Sequence, residues 1–123
     1  MDTITIRIPA LPEYIQVVRL VTSGLAARLK FTLEDIEDLK IAVDELSAYL
    51  TGAQGREGDL EISFNVADAR IEITGRAFLA PGQKIRADLT EFSQMILETV
   101  VDSASLTRDD GSPMFTLVKS KGL

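Results

Sequence analysis

Apolar and polar residues alternate at the start of the chain. Ile4, Ile6 and Ile8 fall on one side over residues 3–8, which predicts a half-buried strand. Pro9 and Pro12 end it, and Pro12 suits the first turn of a helix, where a missing N–H costs nothing. The period then lengthens. Ile15, Val18, Thr22, Leu25 and Leu29 predict a helix over residues 12–29 with those positions buried. Lys30 and Phe31 make a short connection, so the next helix is its neighbour. That second helix spans residues 32–49, with Ile36, Leu39, Val43, Leu46 and Leu50 as its core stripe. Thr32 is its N-cap, Asp35 follows three residues on, and Glu34, Asp35 and Glu37 suit the positive end of the helix dipole. Asp38, Ala42, Glu45 and Tyr49 run down a separate face, off the core stripe.

Three glycines, Gly52, Gly55 and Gly58, stop the second helix. Leu60, Ile62, Phe64 and Val66 then alternate with polar residues, and Ile71 and Ile73 resume the alternation after a short turn, which predicts a hairpin. Residues 75–88 show no convincing period and read as a loop, either a binding loop or lid or a plain connection. Asp88 or Thr90 caps a third helix, with Glu91 in the capping-box position for Asp88 and Phe92, Met95, Ile96, Thr99 and Val100 at helical spacing. Residues 103–108 read as a strand, Asp109, Asp110 and Gly111 as a hairpin turn, and residues 114–119 as the last strand. The order β-α-α-β-β-α-β-β predicts an α+β fold, a two-layer sandwich with helices on one face of a mainly antiparallel sheet.

Composition narrows the function classes. At 123 residues the chain reads as a single domain, 1–123, with room for a real core. A net charge of -6 leaves no electrostatic footprint for nucleic acid. The absence of cysteine and histidine excludes thiolate nucleophiles, the usual zinc sites and His-dependent triads. No apolar run approaches the roughly 20 residues of a membrane span, and no signal peptide opens the chain, so a cytoplasmic protein is expected. Two side chains carry candidate roles. Arg19, beside Ser23 and Ala26, is either an accessible anchor for a protein partner or a snorkelling surface arginine. Glu45 either overhangs a pocket or is a solvated helix glutamate.

The order of elements, the start IPALPEYIQVVRLVTSGLA and the helix DIEDLKIAVDELSAYL resemble the anti-sigma factor serine kinases of the RsbW/SpoIIAB type. These belong to the GHKL superfamily, with the histidine kinase-like ATPase (Bergerat) fold shared with histidine kinases and gyrase B. The resemblance covers nearly the whole chain and is strongest from Ile8 to Leu50.

The resemblance assigns roles one residue at a time. In the family's E-x-x-x-N motif the glutamate is the general base and the asparagine holds Mg²⁺. Glu45 matches the first, but Tyr49 stands at the second, and a neutral phenol is a poor Mg²⁺ ligand. The D-x-G motif supplies an aspartate to the adenine amino group. Gly75 stands at that aspartate and Ala77 at the glycine. The G-x-G motif wraps phosphate at the start of the third helix. Here the stretch is Glu91, Phe92, Ser93, with Glu91 and Ser93 at the glycines and Glu91 placing negative charge where phosphate belongs. The lid region is reduced to residues 80–88. Lost hydrogen bonds to charged or buried partners cost about 1.5–3 kcal/mol each, enough together to carry a micromolar ligand beyond millimolar.

The resemblance therefore implies a regulatory module with a degenerate ATP site and no cofactor, which binds a sigma factor or a STAS-type anti-sigma antagonist. Arg19 matches the arginine on the family's partner-binding first helix, and a homodimer is the assembly the family implies. The alternative is an active ATP- and Mg²⁺-dependent serine/threonine kinase, with Glu45 activating the partner's serine hydroxyl. A third reading gives the old pocket a different ligand.

Overall fold

The two periodicities separate into two layers in the computed structural model, which describes residues 2–83, 85–86, 88–109 and 111–122, with Asp109 as backbone only. The strands are β1 (Asp2–Pro9), β2 (Gly58–Ala67), β3 (Arg70–Leu79), β4 (Ser103–Asp109) and β5 (Ser112–Ser120). They form one sheet in the order β1-β2-β3-β5-β4, each neighbouring pair antiparallel. The helices are α1 (Ile15–Arg28), entered through a 3₁₀ turn over Pro12–Tyr14, α2 (Leu33–Thr51) and α3 (Glu91–Val100). This is the expected α+β sandwich.

Register explains the core. Ile6, Ile62, Gly75, Phe115 and Leu106 lie side by side across the sheet. Ile4, Phe64, Ile73, Leu117 and Ala104 form the next row. The interior members of these rows are fully buried, as are Leu39, Val43, Leu46 and Leu50 of α2 above them. A fully buried Leu or Phe side chain contributes about 1.5–3 kcal/mol, so the α2 stripe is the main tie between the layers. The turn from α1 into α2 closes tightly. Lys30 adopts φ 63, its N–H donates to Ala27 O and the Phe31 N–H donates to Ala26 O. That pair of bonds is a Schellman ending, with the buried Phe31 as its hydrophobic contact.

Four expectations need correcting. β3 does not stop at Ile73 but runs to Leu79. Its inward positions there are Gly75 and Ala77, both buried, and with almost no side chain they hide the alternation. On α1, Ala26 is buried while Leu25 and Leu29 are only partly buried. On α3 the buried residues are Ser93, Leu97 and Val100, whereas Phe92 is 70% and Met95 65% exposed. The cap of α3 is Thr90, whose side chain accepts from the Ser93 N–H, so Glu91 is no capping-box partner of Asp88. Asp110, placed in the last hairpin turn, and Lys84 and Ala87, placed in the lid stretch, lie outside the described residues.

Candidate functional site on the two flanks of the second helix

α2 is fixed at both ends before it presents anything. Thr32 Oγ1 accepts from the Asp35 N–H at 3.1 Å, the expected cap. At the other end Gly52 takes φ 66 and its N–H donates to Ala48 O. Arg56 Nη1 donates to Tyr49 O and Leu50 O, each at 2.7 Å, and so satisfies two of the carbonyls a helix leaves open. Burial pushes the Arg56 guanidinium below its ordinary pKa. No feature of the sequence pointed to this role, because Arg56 sits in a glycine-rich loop.

One flank faces α3. Ser93 Oγ donates to Glu45 Oε2 at 2.6 Å. Ser93 Oγ also lies 2.8 Å from the Tyr49 hydroxyl, a hydrogen bond in which either oxygen can donate. The Tyr49 oxygen in turn accepts from the Thr90 N–H at 3.0 Å. Thr90 Oγ1 lies 3.0 Å from Ser93 Oγ and caps the helix through the Ser93 N–H. Burial alone would push the Tyr49 phenol up, but the hydrogen bonds with Ser93 and Thr90 outweigh it and hold the phenol below its usual value. Further toward the start of α2, Lys119 of β5 is buried and donates to Val100 O at 2.8 Å. Its Nζ lies 3.7 Å from Asp35 and 3.8 Å from Asp38. The stripe of Asp38, Ala42, Glu45 and Tyr49 is thus not off the core. Ala42 is fully buried, and the other three turn polar groups toward α3 and β5.

The other flank faces α1. Arg19 Nε meets Asp44 Oδ1 at 2.6 Å, with both side chains still more than a third exposed. They border an open cavity of about 330 Å³ whose walls include Pro12, Ile15, Ala48 and Thr51. Asp44 was not singled out from the sequence. It lies 25 residues from Arg19, on the opposite helix.

The sequence-predicted site residues are therefore divided. Glu45, Tyr49 and Ser93 come together. Glu91 is exposed at the first position of α3. Gly75 and Ala77 lie buried in β3, and a Cβ at Gly75 would collide with the Phe115 ring. Arg19 belongs to the other flank. Among the described residues no group of His, Cys, Asp and Glu is placed to hold a metal ion, and no helix is long and apolar enough to cross a membrane.

The architecture, with three helices over a five-stranded antiparallel sheet, is that of the histidine kinase-like ATPase domains. A crystal structure titled as the RsbU and RsbW domains of Rv1364c from Mycobacterium tuberculosis superposes over 98% of this chain and 33% of that one, with a TM-score of 0.71 and 18% identity. Sequence carries the assignment further. The serine-protein kinase RsbW of Halalkalibacterium halodurans is 35% identical over 127 residues, covering 89% of this chain and 78% of that protein. The one from Listeria monocytogenes is 32% identical over 129 residues, covering 89% and 82%. The chain belongs to the RsbW serine-protein kinase family. Against some members the match is shorter: it spans about half the length of the Bacillus pumilus protein, at 41% identity over 78 residues. No protein-family model matches the chain.

Proposed function

We propose that this protein is a non-catalytic regulator of the RsbW type, which binds a sigma factor or a STAS-type anti-sigma antagonist and no longer uses ATP. The observation that carries the reading is the mutual bonding of Glu45, Ser93 and Tyr49. In the family pattern these positions flank the triphosphate and its metal from opposite sides. Here a phosphate-loop position, Ser93, is hydrogen bonded both to the base position and to the metal-ligand position. The adenine side is altered as well, since an aspartate at Gly75 would need the space held by Phe115. On this reading the residues present do not fit Mg-ATP. Partner binding falls to the α1 flank, where Arg19 and Asp44 border an apolar cavity open to solvent. Arginine at such a rim is a common interface anchor.

The competing reading, an active serine/threonine kinase, draws on the names of the relatives and on a glutamate already bonded to a serine hydroxyl. It requires Ser93 to leave Glu45. A titration with Mg-ATP separates the two. We expect no binding tighter than about 1 mM, equivalent to about 4 kcal/mol. A ligand at 100 times its dissociation constant stabilises by about 2.7 kcal/mol. A clear rise in melting temperature at about 0.1 mM Mg-ATP would therefore report a working site. If chelating the metal or Glu45→Ala abolished that rise, the kinase reading would replace this one.

A further inference from the structure

The stripe of α2 that faces α3 has polar contacts at both of its ends and a buried alanine between them. At one end Glu45 and Tyr49 hold Ser93 and Thr90, the first turn of α3 and its cap. At the other end Asp35 and Asp38 flank Lys119, whose ammonium donates to the carbonyl of Val100, the last residue of α3. Both termini of a helix leave backbone groups open. Here the Thr90 N–H is answered by a tyrosine of α2, and the Val100 carbonyl by a lysine held between two α2 carboxylates. Ser93 and Lys119 are both buried, so neither end has water as an equal substitute.

From this arrangement we propose that α2 carries a two-ended clasp, Glu45 and Tyr49 with Ser93 and Thr90, and Asp35 and Asp38 through Lys119. The clasp fixes α3 against α2 without any bound ligand. The inference rests on the closed-pocket reading above and adds a consequence for regulation. Where a bound nucleotide would tie the phosphate loop to α2, this chain's own side chains supply the tie. The position of α3 is then constant, and partner binding on the α1 flank is independent of nucleotide. The clasp also fixes the rotation of α3. With Ser93 turned inward, Phe92 and Met95 face solvent.

Amide hydrogen exchange on the full chain tests this. Ser93→Ala and Tyr49→Phe each remove one hydroxyl and keep the packing volume, and Lys119→Met removes the ammonium at the other end. Exchange over residues 91–100 is expected to rise at least about tenfold in each variant, with α1 unchanged, because a local opening reports only the contacts that hold it. Lys119→Met should act most at the C-terminal half of α3, Ser93→Ala and Tyr49→Phe at its first turn. Unchanged exchange in α3 would overturn the clasp. A rise shared evenly by α1, α2 and α3 would overturn it too, since the cluster would then be ordinary core. Adding 1 mM Mg-ATP (the threshold dissociation constant used above) to the wild type should leave the pattern unchanged. Protection appearing over residues 88–93 would overturn the closed-pocket reading instead, and the variants would still decide the clasp.

Discussion

The two flanks of α2 place charged groups under opposite conditions. Toward α1, Arg19 and Asp44 pair at 2.6 Å with their side chains 37% and 49% exposed. Solvent and salt screen such a pair, and its net contribution to stability is about 0–1 kcal/mol. Toward α3, Ser93 is 3% exposed and its hydroxyl bridges a carboxylate and a phenol. Removing Ser93 there takes a buried hydrogen-bond partner from two half-buried groups, one of them a carboxylate, which costs about 1–3 kcal/mol. The first flank holds polar groups that can exchange partners cheaply. The second holds polar groups already committed to each other. A charged residue near a pocket therefore signals binding only when its present partner is easy to replace, and Arg19 meets that condition better than Glu45.

The comparison can be broken in three places, taken from the largest effect to the smallest. Ser93→Ala should lower the unfolding free energy by about 1–3 kcal/mol, measured by denaturant titration, because Glu45 and Tyr49 both lose a buried partner. A loss below about 0.5 kcal/mol would make the cluster no stronger than a surface contact. Arg19→Ala should change stability by less than about 1 kcal/mol. The same change should weaken binding of the cognate sigma factor or antagonist by at least about 1 kcal/mol in a titration. The opposite outcome, a large stability loss with affinity intact, would exchange the roles of the two flanks.

The smallest effect concerns alkaline pH. The Tyr49 phenol is held below its ordinary value of 10.0 in the folded state, by hydrogen bonds that win over burial. Between the folded and unfolded values the unfolded chain carries more protons, so stability rises with pH across that window. The gain is complete above the unfolded value and is lost as pH falls through the folded one. Measured from about pH 8 to about pH 10.5, the wild type should gain stability relative to Tyr49→Phe as pH rises. A flat difference would mean that the phenol is not held by Ser93 and Thr90 as described.

Much of this was readable from residue order. The α2 stripe, its Thr32 cap, the β2–β3 hairpin and the α+β layering follow from periodicity, because long amphipathic segments leave a strong signal. The lower half of β3 did not, since Gly75 and Ala77 erase the inward half of the alternation. The rotation of α3 was misread because Phe92 and Met95 outweigh Ser93 on any hydrophobic count, while the real arbiter is a hydrogen bond to a residue 48 positions earlier. A usable clue did exist for Lys119. Phe115, Leu117 and Lys119 alternate on the inward side of β5, so an inward lysine demanded acidic partners, and Asp35 and Asp38 were already spaced to face one way. Nothing comparable announced Arg56 or Asp44, whose partners are fixed only by tertiary packing.

Gly75 and Phe115 lie directly opposite each other in the sheet, the ring filling the place a side chain at 75 would take. That pairing works as a ratchet. Placing an aspartate at 75 alone drives a carboxylate into an aromatic ring, and trimming Phe115 alone opens a cavity beside a glycine. Either single change gives a less stable protein, and only the two together keep the site packed. Packing therefore couples the two positions: any side chain at 75 calls for a smaller residue at 115.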